Sequence, residues 1–161
     1  MANGFSNSSL AALPLLMAGI LLWPQAASPR SWSAVDALRG RLEASGVRVV
    51  QDDCQRLPQV LGLYHRPSDR IVICRVHGDS AAVWDTLAHE ATHRMQACWG
   101  GSITKPEEQN RMAGALYRNY PQELNSLRAY PASQRLAELE ARYTAKLPPD
   151  QVIALFDRYC G

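Results

Sequence analysis

Apolar and polar positions along this chain repeat with two different periods, and the changes of period divide it into elements. Trp32, Val35, Leu38 and Leu42 recur at helical spacing and predict a helix over residues 31–45, ended by Ser45-Gly46. Val47-Arg48-Val49-Val50 alternates briefly and reads as a strand, and residues 52–58 read as a loop. Leu61-Gly62-Leu63-Tyr64 and Arg70-Ile71-Val72-Ile73-Cys74 are strand-like runs. Between them His65-Arg66-Pro67-Ser68-Asp69 has turn composition, so the pair predicts a hairpin. Helical spacing then returns in Val83, Trp84, Leu87, Ala91, Met95 and Cys98. Asp79 and Ser80 suit the start of that helix and Gly100-Gly101 its end, giving a length of about 18 residues.

The rest of the chain keeps the helical period. Thr104-Lys105-Pro106-Glu107 reads as a capping box with proline in the first turn, opening a helix to about Asn119 with Met112, Leu116 and Tyr120 on one stripe. Residues 121–130 hold one short helix. Residues 132–146 form a stronger one that Pro148-Pro149 ends. Residues 151–159 form the last, with Val152, Leu155, Phe156 and Tyr159 aligned. There is no internal repeat and no low-complexity linker. The expected class is α+β: a small β-hairpin or sheet beside one central helix, followed by a helical C-terminal half. A single domain is expected over residues 31–161, after a hydrophobic leader over residues 1–28.

The leader changes the expected location. Residues 10–23 are an apolar run of 14 residues, short of the roughly 20 that span a bilayer. That length suits a signal-peptide core, and Ala26, Ala27 and Ser28 follow it as small residues at which a peptidase can cut. No Lys or Arg precedes the run, so the usual basic start is missing. Export to a periplasmic or extracellular compartment is the expectation. A membrane becomes a partner only if residues 10–23 stay uncleaved as an anchor. The four cysteines, Cys54, Cys74, Cys98 and Cys160, are even in number and none are spaced C-x-x-C. In an oxidising compartment they form two disulfides, and of three connectivities Cys54–Cys74 with Cys98–Cys160 is the favoured one; the alternative is four buried free thiols in a cytosolic protein. Apolar residues make up 47% of the 161 and charged ones 20%, a globular balance, with a net charge of +2. No basic run and no aromatic–basic interleaving is present, so nucleic acid is not an expected partner.

The chemistry concentrates in His89-Glu90-Ala91-Thr92-His93, in the middle of the 18-residue helix. Residues four apart lie on one helical face, so His89 and His93 can grip one Zn²⁺ at about 2.0–2.1 Å. Glu90, one residue on, can act as the base on a water held there. A helix carrying two ordinary histidines is the bland alternative.

H-E-x-x-H in this setting resembles the zinc metallopeptidases of the zincin type. The order "Gly-x-Tyr … Ile-x-Ile" hairpin and then motif helix, over residues 61–98, resembles the small zincins. The resemblance implies a zinc-dependent peptide or amide hydrolase with one Zn²⁺ per chain. It also implies that the strand beside the helix edges the cleft, where an extended peptide or unfolded protein adds by backbone pairing. A metzincin would continue H-x-x-G-x-x-H. Here Gln96 and Trp99 replace that glycine and histidine, which rejects the class. His65 and His77 read as turn and strand-end residues.

A downstream carboxylate is then the expected third ligand, as in glutamate-zincins. Glu107 is spent as a cap and Glu108 shares its turn. Glu123, Glu138 and Glu140 remain. Leu136, Leu139, Tyr143 and Leu147 form an apolar stripe, and Glu140 sits on it, so Glu140 is the first choice. Glu138 has Arg135 and Arg142 at helical pairing distance. Glu138-Leu139-Glu140-Ala141 also resembles an "E-x-E-A" ligand helix in which the second glutamate binds metal. By the same resemblance, Glu90 takes a proton from water and passes it to the leaving amine, and Tyr143 is a candidate to steady the oxyanion, although it also fits the core stripe; Asp85, four residues before His89, reads first as a solvated residue of the early helical turns and second as a group that orients a ligand histidine. Mn²⁺ or Fe²⁺ also suits a His₂Glu set. The alternative function is a non-catalytic, zinc-stabilised secreted binding domain that retains the motif.

Overall fold

The computed structural model describes residues 29–54, 60–75 and 78–161. The expected leader and cleavage site, His77 and much of the 52–58 loop lie outside the described residues. The fold is mixed α+β and mostly helical. In chain order the described elements are α1 (Trp32–Ala44), β1 (Arg48–Asp52), β2 (Gly62–His65), a 3₁₀ turn (Arg66–Ser68), β3 (Arg70–Cys74), α2 (Ser80–Trp99), α3 (Pro106–Asn119), α4 (Pro121–Ser126) continued by a 3₁₀ turn (Leu127–Ala129), α5 (Arg135–Ala145) and α6 (Pro149–Cys160).

The three strands form one sheet in the order β1-β3-β2. β2 and β3 are the expected hairpin, antiparallel with Tyr64 opposite Ile71, and β1 lies parallel to β3 with Val49 opposite Ile71. β2 is therefore an edge. The turn between β2 and β3 closes on Asp69, held in the left-handed region at φ 43°. A short polar side chain tolerates that conformation best after glycine. Here the Asp69 side chain also accepts the Tyr64 hydroxyl at 2.9 Å and pairs with Arg94 of α2 at 2.7 Å, which fastens the hairpin to the helix.

α2 is capped as its sequence predicts. The Asp79 carboxylate accepts the Ala82 N–H at 2.8 Å, and Gly100 closes the helix at φ 85°. The helix stands at the centre of the molecule. One flank packs Val83, Trp84, Leu87, Ala91 and Met95 against Leu38 and Leu42 of α1, Ile71 and Ile73 of β3, and Val152 and Phe156 of α6. A second cluster joins Met112 and Leu116 of α3 to Leu127 and Leu139. α5 lies between the two clusters and is buried over most of its circumference.

The capping box of α3 forms one residue later than its pattern suggests. Lys105 is the cap residue, and its N–H donates to the Glu108 carboxylate at 3.0 Å. Thr104 is not free to cap, because its hydroxyl and its N–H both turn to Glu140.

Both expected disulfides are present, Cys54–Cys74 and Cys98–Cys160. The first joins the end of β3 to the chain leaving β1, and the second ties the end of α2 to the end of α6. Two disulfides fit an oxidising, exported environment. Among the described residues no helix is long and apolar enough to cross a membrane.

Candidate metal centre

His89 and His93 occupy successive turns of α2, and their Nε2 atoms approach to 3.2 Å. α5 crosses this face and brings Glu138 to both. Its Oε2 lies 3.5 Å from His89 Nε2 and its Oε1 lies 3.3 Å from His93 Nε2. Among the described residues, His89, His93 and Glu138 form the group whose ligand atoms could hold a metal ion.

The donor set fits zinc. Ligands at about 2.0–2.1 Å around a tetrahedral ion stand about 3.3 Å from one another. The two Nε2 atoms, 3.2 Å apart, match that edge length, and each Glu138 oxygen lies near one of them; taking one ligand atom from each residue, all three lie within 4.8 Å of one another. Glu138 Oε2 is buried and has no hydrogen-bond partner, a cost that a cation removes.

Electrostatics at the site follow from burial. Burial pushes His89 down to about 4, with the neighbouring His93 acting in the same direction and Glu138 opposing. Burial also disfavours the charged form of His93. Its contacts with Glu138 and Gln96 and the charges of Glu90 and Glu138 outweigh that, and its net pKa lies above the ordinary value. Glu138 is likewise raised by burial but lowered more by His93, His89 and Arg142, ending below the usual carboxylate range.

Glu90 stands beside the group, 6% exposed. Its Oε2 accepts the N–H of Tyr64 at 2.8 Å, a donor on β2. Burial lifts its pKa to about 7, against the opposing pull of His93 and the Tyr64 N–H. The close passage of β2 over Glu90 requires Gly62. A Cβ there would meet Thr86 Cγ2 at 2.4 Å and Glu90 Cγ at 3.1 Å.

Glu140 does not join the histidines, which corrects the expected ligand set. It is fully buried, but its carboxylate is turned to the segment after α2. It accepts from Ile103 N at 3.2 Å, Thr104 N at 3.0 Å, Gln96 Nε2 at 2.8 Å, and the hydroxyls of Ser102 and Thr104. With its lone pairs spent on these donors it has no need of a metal. Tyr143 is also placed elsewhere. It packs on the Met112–Leu116–Leu127–Leu139 cluster, about 140° around α5 from Glu138, as its place on the apolar stripe implies.

The other candidates have partners of their own. Glu123 pairs with Lys146 at 3.0 Å and Arg142 at 2.5 Å. Asp85 pairs with Lys146 at 2.7 Å and Arg30 at 3.2 Å, not with a histidine. Glu108 caps α3, and exposed His65 bonds Ser68 in the hairpin turn. Gln96, which the pattern marked only as a departure from the metzincin motif, holds His93 Nδ1 at 2.9 Å. Its position three residues after His93, on the same helical face, was the available signal.

The arrangement could hold one metal ion on three protein donors, with a buried carboxylate of neutral pKa and the β2 strand beside it. No protein-family model, curated protein or solved structure matches the chain.

Proposed function

We propose that this chain is a zinc-dependent peptide or amide hydrolase of the zincin type, with His89, His93 and Glu138 holding the metal and Glu90 as general base. The observation that carries the reading is the convergence of His89, His93 and Glu138, one ligand atom of each within 4.8 Å of the others, with a second carboxylate, Glu90, buried next to them. A site that only stabilises a fold needs no such carboxylate, and usually has four protein ligands.

Zinc bound there supplies Lewis acidity, polarising a carbonyl and acidifying water. Glu90 then does the proton work. With a pKa near 7 it can take a proton from water and return one to the leaving amine at neutral pH. The Tyr64 N–H holds Glu90 Oε2 in place and leaves Oε1 for that exchange. The outer edge of β2 offers backbone groups to an extended peptide, aligning its carbonyl with the site. Short or unfolded peptides are the natural substrates of so small a domain.

The test compares zinc-loaded wild type with Glu90→Gln on a library of peptides and denatured proteins. The variant is expected to bind zinc as tightly as wild type and to lose at least about 100-fold in hydrolysis. Full activity in Glu90→Gln would overturn the mechanism. A wild type that binds zinc and cleaves nothing would leave a zinc-stabilised binding domain.

A further inference from the structure

We propose that Gln96 is a positioning residue that locks His93 in the tautomer a metal requires, with Glu140 as the buried anchor that holds Gln96 in place. The inference rests on the reading of His89, His93 and Glu138 as a metal site, and it needs no assumption about hydrolysis.

The direction of each hydrogen bond follows from the atoms present. Gln96 Nε2 lies 3.0 Å from the Ala137 carbonyl oxygen and 2.8 Å from Glu140 Oε2. A backbone carbonyl can only accept, and Glu140 Oε2 is already an acceptor of the Ile103 N–H. Both amide hydrogens of Gln96 are thereby used. The reverse orientation would set its oxygen against two acceptors, so the nitrogen must face them. Gln96 Oε1 is left facing His93 Nδ1 at 2.9 Å. An amide oxygen accepts, so Nδ1 carries the hydrogen. In neutral imidazole a hydrogen on Nδ1 leaves a lone pair on Nε2. That is the nitrogen 3.2 Å from His89 Nε2 and 3.3 Å from Glu138 Oε1.

The order therefore passes outward from the interior. Ser102, Ile103 and Thr104 fix the Glu140 carboxylate, Glu140 and Ala137 fix the Gln96 amide, and Gln96 fixes the His93 ring. Metal-ligating histidines commonly give the second ring N–H straight to a carboxylate or carbonyl. Here an amide stands between histidine and carboxylate. The fully buried glutamate two residues from Glu138 thus serves the site through Gln96.

The experiment uses the full chain with its disulfides intact, and zinc ion alone as probe. The imidazole nitrogens of metal-free protein are assigned by ¹⁵N NMR at a pH above the titration of His93. Zinc affinity of wild type and Gln96→Met is measured by competition with a chromophoric chelator. Methionine keeps an unbranched chain of similar length and removes the acceptor. Wild-type His93 is expected as the Nδ1–H tautomer, Gln96→Met as a mixture, and zinc affinity is expected to fall about 10–100-fold. An Nε2–H tautomer in wild type would overturn the proposal, as would a folded Gln96→Met with unchanged affinity. If Gln96→Met fails to fold, the wild-type tautomer decides alone. A wild type that takes up no zinc while His93 is Nδ1–H would sink the metal reading and leave the Gln96 lock in place.

Discussion

Glu138 and Glu140 stand two residues apart on α5, both buried, and their carboxylates are partnered in opposite ways. Glu138 Oε2 has no hydrogen-bond partner and lies 3.5 Å from His89 Nε2, whereas Glu140 accepts from two backbone N–H groups, two hydroxyls and the Gln96 amide. A carboxylate short of donors suits a cation. One saturated with donors suits the framework.

The two positions should therefore respond differently to alanine. Glu138→Ala is expected to abolish zinc binding and to destabilise the metal-free protein less than Glu140→Ala does, because Glu138 has contacts with His93 and His89 but one oxygen without a hydrogen-bond partner. Glu140→Ala strands buried donors at about 1–3 kcal/mol each, and is expected to destabilise the metal-free protein by about 3 kcal/mol or more. Metal content by mass spectrometry and denaturant unfolding check both. Zinc retained in Glu138→Ala but lost from a stably folded Glu140→Ala would reverse the assignment.

Gly62 sets the distance between the edge strand and Glu90. Gly62→Ala places a methyl group 2.4 Å from Thr86 Cγ2, and overpacking of this kind costs about 1–3 kcal/mol. The strand must move outward, and the Tyr64 N–H loses Glu90. Hydrolysis is expected to fall far more than zinc affinity, because the atoms nearest a Cβ at Gly62 belong to Thr86 and Glu90. Equal losses in both would show that the contact is not specific to Glu90.

Zinc binding should strengthen as pH rises through neutrality. The contacts of His93 hold its pKa above the ordinary value, so below that pKa a proton must leave before the metal can bind. His89, held near 4, is already neutral and takes no part in this range. The apparent affinity should therefore fall as pH falls through the raised pKa of His93, with protons released on binding. Calorimetry in buffers of different ionisation enthalpy measures that release. A pH-independent affinity with no protons released would contradict the contacts drawn for His93.

The Cys98–Cys160 disulfide closes a loop of 62 residues around the site, joining the end of α2 to the end of α6. On the loop-entropy model that constraint is worth about 4 kcal/mol, and the 20-residue loop of Cys54–Cys74 about 3 kcal/mol. Cys98→Ser with Cys160→Ser is expected to lower the melting temperature more than Cys54→Ser with Cys74→Ser. Thermal unfolding of the two double variants gives the comparison, and the opposite order would refute it.

Much of this molecule is legible from its local pattern. The hairpin, the central helix with its Asp79 and Gly100 ends, and the pairing of His89 with His93 all depend on residues within one or two turns of each other. Such contacts follow from the period of the backbone. Capping shifted by one residue only where a distant group intervened, when Glu140 recruited Thr104 and left Lys105 and Glu108 to begin α3.

The third donor depended on tertiary structure. Periodicity reports that a face of α5 is buried but not which neighbour buries it. The apolar stripe of Leu136, Leu139 and Tyr143 points to the α3 cluster, so a glutamate on that stripe is not thereby near the histidines. The face carrying Glu138 is the one turned to His89 and His93 of α2, and Ala141 and Ala145 on that face are buried. Arg142, at helical pairing distance from Glu138, found its ion partner in Glu123 instead. Sequence by itself determined that two histidines share one face of a helix beside a hairpin. Which carboxylate completes the set was decided by how α5 is rotated between two layers, a balance of packing and hydrogen bonds among residues more than 30 positions apart.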